Sequence, residues 1–150
     1  MYSGCPIWSH MTALIPEAFQ DLLKPETRAL AHLALVLSDG NPQVTPIYFD
    51  YDGTHFVFNT ARSRLKDRVM RKWPVVAFAI SDPRNGVYRY LQVRGRVMDE
   101  TEEGAFEQAC ALNEKYRGNR NYPRREGEVR VTYKVIPERA QAFSMSVVNL

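Results

Sequence analysis

Residues 31–60, AHLALVLSDGNPQVTPIYFDYDGTHFVFNT, decide the fold. They contain three runs of apolar, aromatic and β-branched residues, separated by Asp39-Gly40 and Asp52-Gly53. Asp-Gly is a dipeptide typical of tight hairpin turns. Periodicity alone leaves the first run open to helix or strand, but the alternating second run favours a hairpin. The stretch therefore predicts three consecutive strands joined by short turns.

The chain on either side adds further strands and short helices. Helices are predicted at 16–23, 61–73 and 101–116, and strands at 75–81, 87–98 and 128–137. Thr101 is expected to cap the last helix, and Gly95 is expected to form a bulge or a barrel corner. The order α-β-β-β-α-β-β-α-β predicts a mainly β protein, a six-stranded antiparallel β-barrel with short α-helices.

Composition limits the function classes. The 150 residues fit one domain and carry a net charge of +3. Since no apolar run approaches the roughly 18 residues of a membrane span, we expect no membrane partner. Cys5 and Cys110 have no metal spacing, and a reduced, cytoplasmic protein is the simplest interpretation. Residues 1–10 do not match the rest of the chain in character, so we expect the domain to occupy 11–150, after a disordered or non-native extension.

A basic segment, NTARSRLKDRVMRK at residues 59–72, comes at the end of the third predicted strand. Where a strand leads into a helix, free backbone N–H groups and the helix dipole attract anions. Arginine can hold phosphate through two N–H groups, and lysine adds a mobile charge. The segment therefore predicts a phosphate clamp. A solvated helix face is an alternative of about equal weight. The basic residues are Arg62, Arg64, Lys66, Arg68, Arg71 and Lys72.

Several common chemistries lack their sequence patterns. The chain has no GxSxG, HExxH, Walker or GxGxxG motif, which removes the usual support for hydrolase, metalloprotease and nucleotidase functions. His32 and His55 have no ligand spacing with acids or cysteines, so we expect no metal site.

Four stretches, taken together and in order, resemble a known family. They are residues 32–68, then PVVAFAISDP, then YRYLQVRGRV, then VRVTYKVIPERAQAF. The chain resembles the FMN-binding split β-barrel proteins related to pyridoxamine 5'-phosphate oxidase, in particular the small single-domain branch described as dependent on coenzyme F-420, a phosphorylated deazaflavin. The resemblance covers most of residues 31–143 and implies a split β-barrel.

The resemblance also implies cofactor-binding residues. Strand positions edging the flavin ring match Val44, Thr45, Pro46 and Ile47. The positions beside the ring and ribityl chain match Asn59 and Thr60, and those that hold the phosphate match Arg64 and Lys66. Tyr88 and Tyr90 match positions from which the other subunit reaches the cofactor. No catalytic residue is implied.

The implied function is hydride transfer by a homodimeric oxidoreductase to a small organic acceptor. Coenzyme F-420 is favoured, with FMN as the alternative cofactor. A non-enzymatic flavin carrier would use the same clamp. The substrate motif of true pyridoxamine phosphate oxidases is missing, so vitamin B6 oxidation is not expected. A barrel that binds nucleic acid through the basic helix is a third hypothesis, but exposed stacking aromatics are not evident and we expect no nucleic-acid partner.

Overall fold

The computed structural model describes residues 14–145. The expectation for residues 1–10 therefore lies outside the described residues. Two short 3-10 helices at Glu17–Leu23 and Pro25–Thr27 precede the sheet. The other elements are β1 Ala31–Val36, β2 Pro42–Ile47, β3 Phe49–Tyr51, β4 Phe56–Ala61, α1 Leu65–Lys72, β5 Val75–Ser81, β6 Arg89–Thr101, α2 Ala105–Arg117 and β7 Arg130–Ser144.

The seven strands form one antiparallel sheet in the order β2-β1-β5-β6-β7-β4-β3. Its two edge strands, β2 and β3, are consecutive in the chain and are separated only by Tyr48. The sheet must therefore curl until its edges meet, which produces a split barrel. This confirms the predicted mainly β split-barrel class.

The predicted count of six strands is wrong, because the run VTPIYFDY forms two strands. Up to Ile47 the chain pairs with β1, and from Phe49 onward it pairs with β4. Tyr48 lies between the two strands, and its ring stacks on the Tyr116 ring with 4.0 Å between the ring centroids. Alternation of residue types cannot reveal this change, because both strands keep the same period of two.

The inward faces of the strands form the core. Leu33, Phe58, Phe78, Leu91 and Tyr133 all have at most 2% exposure. Aromatic rings meet edge to face within it, as where Phe58 and Phe78 lie 5.2 Å apart. Burial of these large side chains on one face fixes the register of each strand, since a slip by one residue would expose them.

The predicted helices are shorter than expected. The segment that includes Arg62 and Ser63 forms a turn, with Ser63 at a φ of 70°, so α1 begins only at Leu65. The prediction that Thr101 caps the next helix is wrong. Thr101 ends β6 and accepts a 3.1 Å hydrogen bond from the Glu103 N–H, while Gly104 at a φ of 68° precedes the first residue of α2. Glycine adopts this left-handed conformation readily because it has no Cβ.

The outer surface of the sheet is covered unevenly. Helix α2 packs against β4 and β7, and all six residues of β4 are consequently buried. The outward side chains of β1, β2 and β5 remain exposed or half-buried, and many are small and apolar: Ala34, Val36, Val44, Val75, Ala77 and Ala79. We call these six residues the open face. Among the helices of residues 14–145, none has the length and apolarity to cross a membrane.

Candidate functional site

A pocket of about 290 Å³ lies between the end of β2, the end of β4 and helix α2. Helix α2 covers one part of the sheet, and the pocket lies where that part adjoins the open face. Six of the residues predicted to bind a cofactor line this pocket, although they come from three separate elements: Pro46, Ile47, Asn59, Thr60, Arg64 and Lys66. The fold therefore brings together the predicted ring, ribityl and phosphate positions.

Four predicted residues do not line the pocket within one chain. Val44 and Thr45 lie just before it on β2, and Val44 is 62% exposed on the open face. Tyr88 and Tyr90 instead pack against Phe143, at ring distances of 5.8 and 5.6 Å. Their expected contribution to a second subunit's site stays a prediction.

The start of α1 supplies two cations to one end of the pocket. Arg64 precedes the first helical residue, and its Nη2 lies 2.8 Å from Glu128 Oε2. The Lys66 ammonium forms no ion pair with any residue in the described range 14–145. Burial, together with the positive charge of Arg64, lowers the pKa of Lys66. Lys66 is thus a partly desolvated cation without a counter-charge, which favours an anion beside it.

A third cation, Arg130, was not among the predicted site residues. Its side chain is only 8% exposed, yet the guanidinium lines the pocket. Nε and Nη2 donate to Asn59 Oδ1 at 2.9 and 2.6 Å, and Nη1 lies 3.2 Å from Glu128 Oε1. In the sequence, Arg130 alternates with valines predicted to share one face of the strand, and it is typical of a surface arginine. Only the covering helix and loop bury it.

Asn59 lies in the wall of the pocket, but its side chain is already engaged. Besides accepting from Arg130, its Nδ2 donates to the Ala105 carbonyl oxygen at 2.8 Å and to Thr132 Oγ1 at 3.3 Å. The amide therefore ties β4 to the start of α2 and orients Arg130. Its predicted contact with a cofactor stays a prediction.

The charges at this end of the pocket do not balance. Arg64, Lys66 and Arg130 provide three positive charges against the single carboxylate of Glu128. The excess of two positive charges matches a phosphate group, which carries about −1.5 to −2 at neutral pH. The local arrangement therefore suits a phosphorylated ligand.

Other basic residues of the segment serve the fold. Arg62 binds Asp67, Glu100 and Glu102 at 3.0, 2.8 and 2.7 Å. Arg71 also binds Asp67, at 3.2 Å. The remaining two, Arg68 and Lys72, are exposed and do not line the pocket. Of the six basic residues in the segment, Arg64 and Lys66 line the pocket, and the position of the segment after a strand did not distinguish these two from the other four.

Aromatic rings form the other walls of the pocket. Tyr48, 39% exposed, lies in the wall and stacks on Tyr116. The Tyr116 hydroxyl donates to the Ala29 carbonyl oxygen at 2.6 Å, and burial raises its pKa to about 12. Tyr122, from the loop after α2, packs on Phe106 and on the Arg130 guanidinium. These flat, partly apolar walls suit an aromatic ring system.

Comparisons with known proteins agree with this architecture. The family model described as pyridoxamine 5'-phosphate oxidase matches residues 15–143. A solved structure described as an F420 reductase is 35% identical, with a TM-score of 0.75, over 85% of this chain and 98% of that chain. Among curated proteins, none matches significantly.

Two more distant structures share the fold alone. A conserved hypothetical protein from Mycobacterium tuberculosis is 21% identical, with a TM-score of 0.67, over 89% of this chain and 92% of its own. A protein from Mesorhizobium loti, described as FAD-binding, is 18% identical, with a TM-score of 0.63, over 88% of this chain and 96% of its own.

Proposed function

The chain belongs to the pyridoxamine 5'-phosphate oxidase family, and from this premise we propose that it is an oxidoreductase that uses coenzyme F-420. The observation that carries the proposal is the cationic end of the pocket, where Arg64, Lys66 and Arg130 face one carboxylate. A ribityl phosphate would supply the missing negative charge. The 35% identity to a protein described as an F420 reductase supports the deazaflavin. FMN carries the same phosphate and is the alternative.

The cofactor, when bound, supplies the hydride chemistry, and the protein supplies binding, orientation and exclusion of water. Arg64 and Lys66 hold the phosphate, because both reach the pocket and Lys66 has no other counter-charge in the described chain. The wall formed by Pro46 and Ile47 lies where the ring is expected. The Tyr48 hydroxyl or solvent would provide a proton to the acceptor, and no other side chain is assigned a proton.

The pocket of one chain is small for this cofactor. Ligand pockets typically measure about 300–1,000 Å³, and the volume of about 290 Å³ lies at the lower edge of that range. The pocket also ends at the open face, whose exposed valines and half-buried alanines suit contact with another protein surface. We therefore propose that a second copy packs on the open face and completes the site, which gives a homodimer.

Lys66→Ala tests the phosphate clamp. We expect cofactor affinity to fall by about 1–3 kcal/mol, the range for a lost hydrogen bond to a charged group, or roughly 5- to 150-fold in Kd. The measurement is fluorescence titration of the purified protein with F-420 and, separately, with FMN. Lys72→Ala is the matched control, because Lys72 is an exposed cation of the same helix outside the pocket.

The same titrations decide between the cofactors and test the function. Tighter binding of FMN than of F-420 would overturn the deazaflavin assignment. Unchanged affinity of Lys66→Ala for both would refute the clamp. An oxidoreductase would reduce nitroaromatic or quinone acceptors with the reduced cofactor. A carrier would bind the reduced cofactor but would not reoxidise it.

Ala77→Arg tests the homodimer. Ala77 lies on β5, between β1 and β6, with its side chain on the open face, so a charge there would oppose close packing of a second copy. We expect a monomer in sedimentation analysis and the loss of cofactor binding, with an unchanged circular dichroism spectrum. Thr54→Arg, in the exposed turn after β3, adds the same charge elsewhere. A dimeric Ala77→Arg protein would show that the open face is not the interface.

A further inference from the structure

The Glu128 carboxylate lies beside the cationic end of the pocket, where two guanidiniums that line the pocket share it. Oε2 lies 2.8 Å from Arg64 Nη2, and Oε1 lies 3.2 Å from Arg130 Nη1. The Glu128 side chain is only 12% exposed. A carboxylate in this position uses the same N–H groups that a phosphate would use, since arginine binds both anions through the same fork of donors.

The two arginines differ in their freedom to change partner. Arg130 is 8% exposed and is fixed by two hydrogen bonds to Asn59. Arg64 is 48% exposed, and Glu128 is its one ion-pair partner among the described residues. Arg64 can therefore rotate toward an incoming anion while Glu128 stays bound to Arg130.

We propose that Glu128 is an affinity-determining residue that competes with the cofactor phosphate for Arg64. This inference rests on the proposed function. When the phosphate enters, Arg64 Nη2 leaves Glu128 Oε2 for a phosphate oxygen. The phosphate must then offset a lost ion pair and also approach the remaining negative charge of Glu128, which repels it. Glu128 thus weakens binding and favours release of the phosphorylated cofactor.

Glu128→Gln tests this competition, with inorganic phosphate as the first probe. The variant keeps the size and one acceptor for Arg130 but removes the charge. We expect roughly tenfold tighter binding of inorganic phosphate, measured by calorimetry, and a similar gain for FMN. Riboflavin, which lacks the phosphate, should bind equally to the variant and the wild type. Glu138→Gln is the matched control, because Glu138 pairs with Arg96 at 2.9 Å outside the pocket.

Unchanged phosphate binding in Glu128→Gln would overturn the proposal, because Glu128 would then not compete with phosphate. Weaker binding would also overturn it, because Glu128 would then be holding Arg64 in its binding position. An equal gain for riboflavin would also overturn it, since the effect would not depend on phosphate. If Glu128→Gln does not fold, Glu128→Asp keeps a charge at this position but shortens the side chain, which withdraws the carboxylate from Arg64. It should also bind phosphate more tightly, and a failure to do so counts against the competition.

The phosphate probe keeps this inference separate from the proposed function. If the variants gain phosphate affinity but no protein binds F-420 or FMN, the flavin function fails while the competition at Arg64 stands. If flavins bind but phosphate affinity does not rise in Glu128→Gln, only the competition fails.

Discussion

Asp67→Ala is expected to destabilise the protein by about 3 kcal/mol, the upper end of the range for leaving buried hydrogen-bond donors without their acceptor. The Asp67 side chain has no exposed surface. It accepts a 2.6 Å hydrogen bond from the Tyr133 hydroxyl and a 2.9 Å hydrogen bond from the Ser63 N–H. It also binds the guanidiniums of Arg62 and Arg71. Alanine would leave these four donors without their shared acceptor.

Removal of the Asp67 carboxylate should also affect the candidate site, because Asp67 fixes the turn that precedes Arg64. Ser63 lies next to Arg64, and Tyr133 belongs to the buried face of β7. Asp67 thus ties the start of α1 to the barrel core. We expect weaker cofactor binding in addition to lower stability, although Asp67 does not line the pocket.

Chemical denaturation at neutral pH measures the decrease in the free energy of unfolding. Asp99→Ala, which changes an exposed aspartate, is the control. A difference below about 1 kcal/mol between the two variants, the range for surface pairs, would contradict the role given to Asp67.

The effect of Asp67→Ala should depend on pH. Burial alone would raise the pKa of Asp67, but hydrogen bonds from Tyr133 and the Ser63 N–H, with the nearby guanidiniums, hold it below the ordinary value of 3.8. A carboxyl with a lowered folded pKa stabilises the protein when it is ionised. Its contribution is complete above the ordinary pKa and disappears as the pH falls through the folded value. The difference in the free energy of unfolding between the wild type and Asp67→Ala should therefore become smaller in strong acid.

Gly95→Ala is expected to cost about 3 kcal/mol, at the upper end of the range for overpacking. A Cβ on Gly95 would lie 2.6 Å from the Ile136 carbonyl oxygen and 2.8 Å from Val135 Cγ1. The first of these atoms is backbone, so a rotamer change cannot relieve the contact. The register between β6 and β7 shifts between Arg94 and Gly95, which shows that the strands approach closely at a bulge.

Thermal unfolding compares Gly95→Ala with Gly40→Asn. Gly40 has a φ of 84° and open space around its Cβ position, and asparagine tolerates that conformation. We expect Gly40→Asn to unfold within a few degrees of the wild type. Equal melting temperatures for the two variants would show that β7 can move away from β6 at little cost.

Much of the fold followed from local patterns. The Asp-Gly turns, the continuous apolar run of β5 and the glycine at the bulge correspond to features of the structure, because turn chemistry and side-chain alternation act over a few residues. Thr101 and Gly104 show the limit of this approach. Thr101 was predicted to cap α2, but its pairing with Thr132 on β7 extends β6 through it, and Gly104 precedes α2 instead.

The candidate site was predictable where its residues are adjacent in the chain. The basic segment was predicted from its place just after a strand end, and Arg64 and Lys66 were selected within it because they match the phosphate-holding positions of the family that the chain resembles. Arg130 and Glu128 gave no such signal, since both lie far from Arg64 in the chain and resemble surface residues. Their relation to Arg64 exists only after β7 pairs with β4.

The sequence by itself predicted most of the strands, the Asp-Gly turns and a concentration of positive charge at one strand end, since all three depend on neighbouring residues. Tertiary structure alone decided that β2 and β3 become opposite edges of one curled sheet, that Arg62 is neutralised while Lys66 is not, and that Arg130 is buried beside Glu128. The reason is physical. Strand pairing and burial bring together charges from distant parts of the chain, and electrostatic interactions depend on distance and desolvation rather than on order in the sequence.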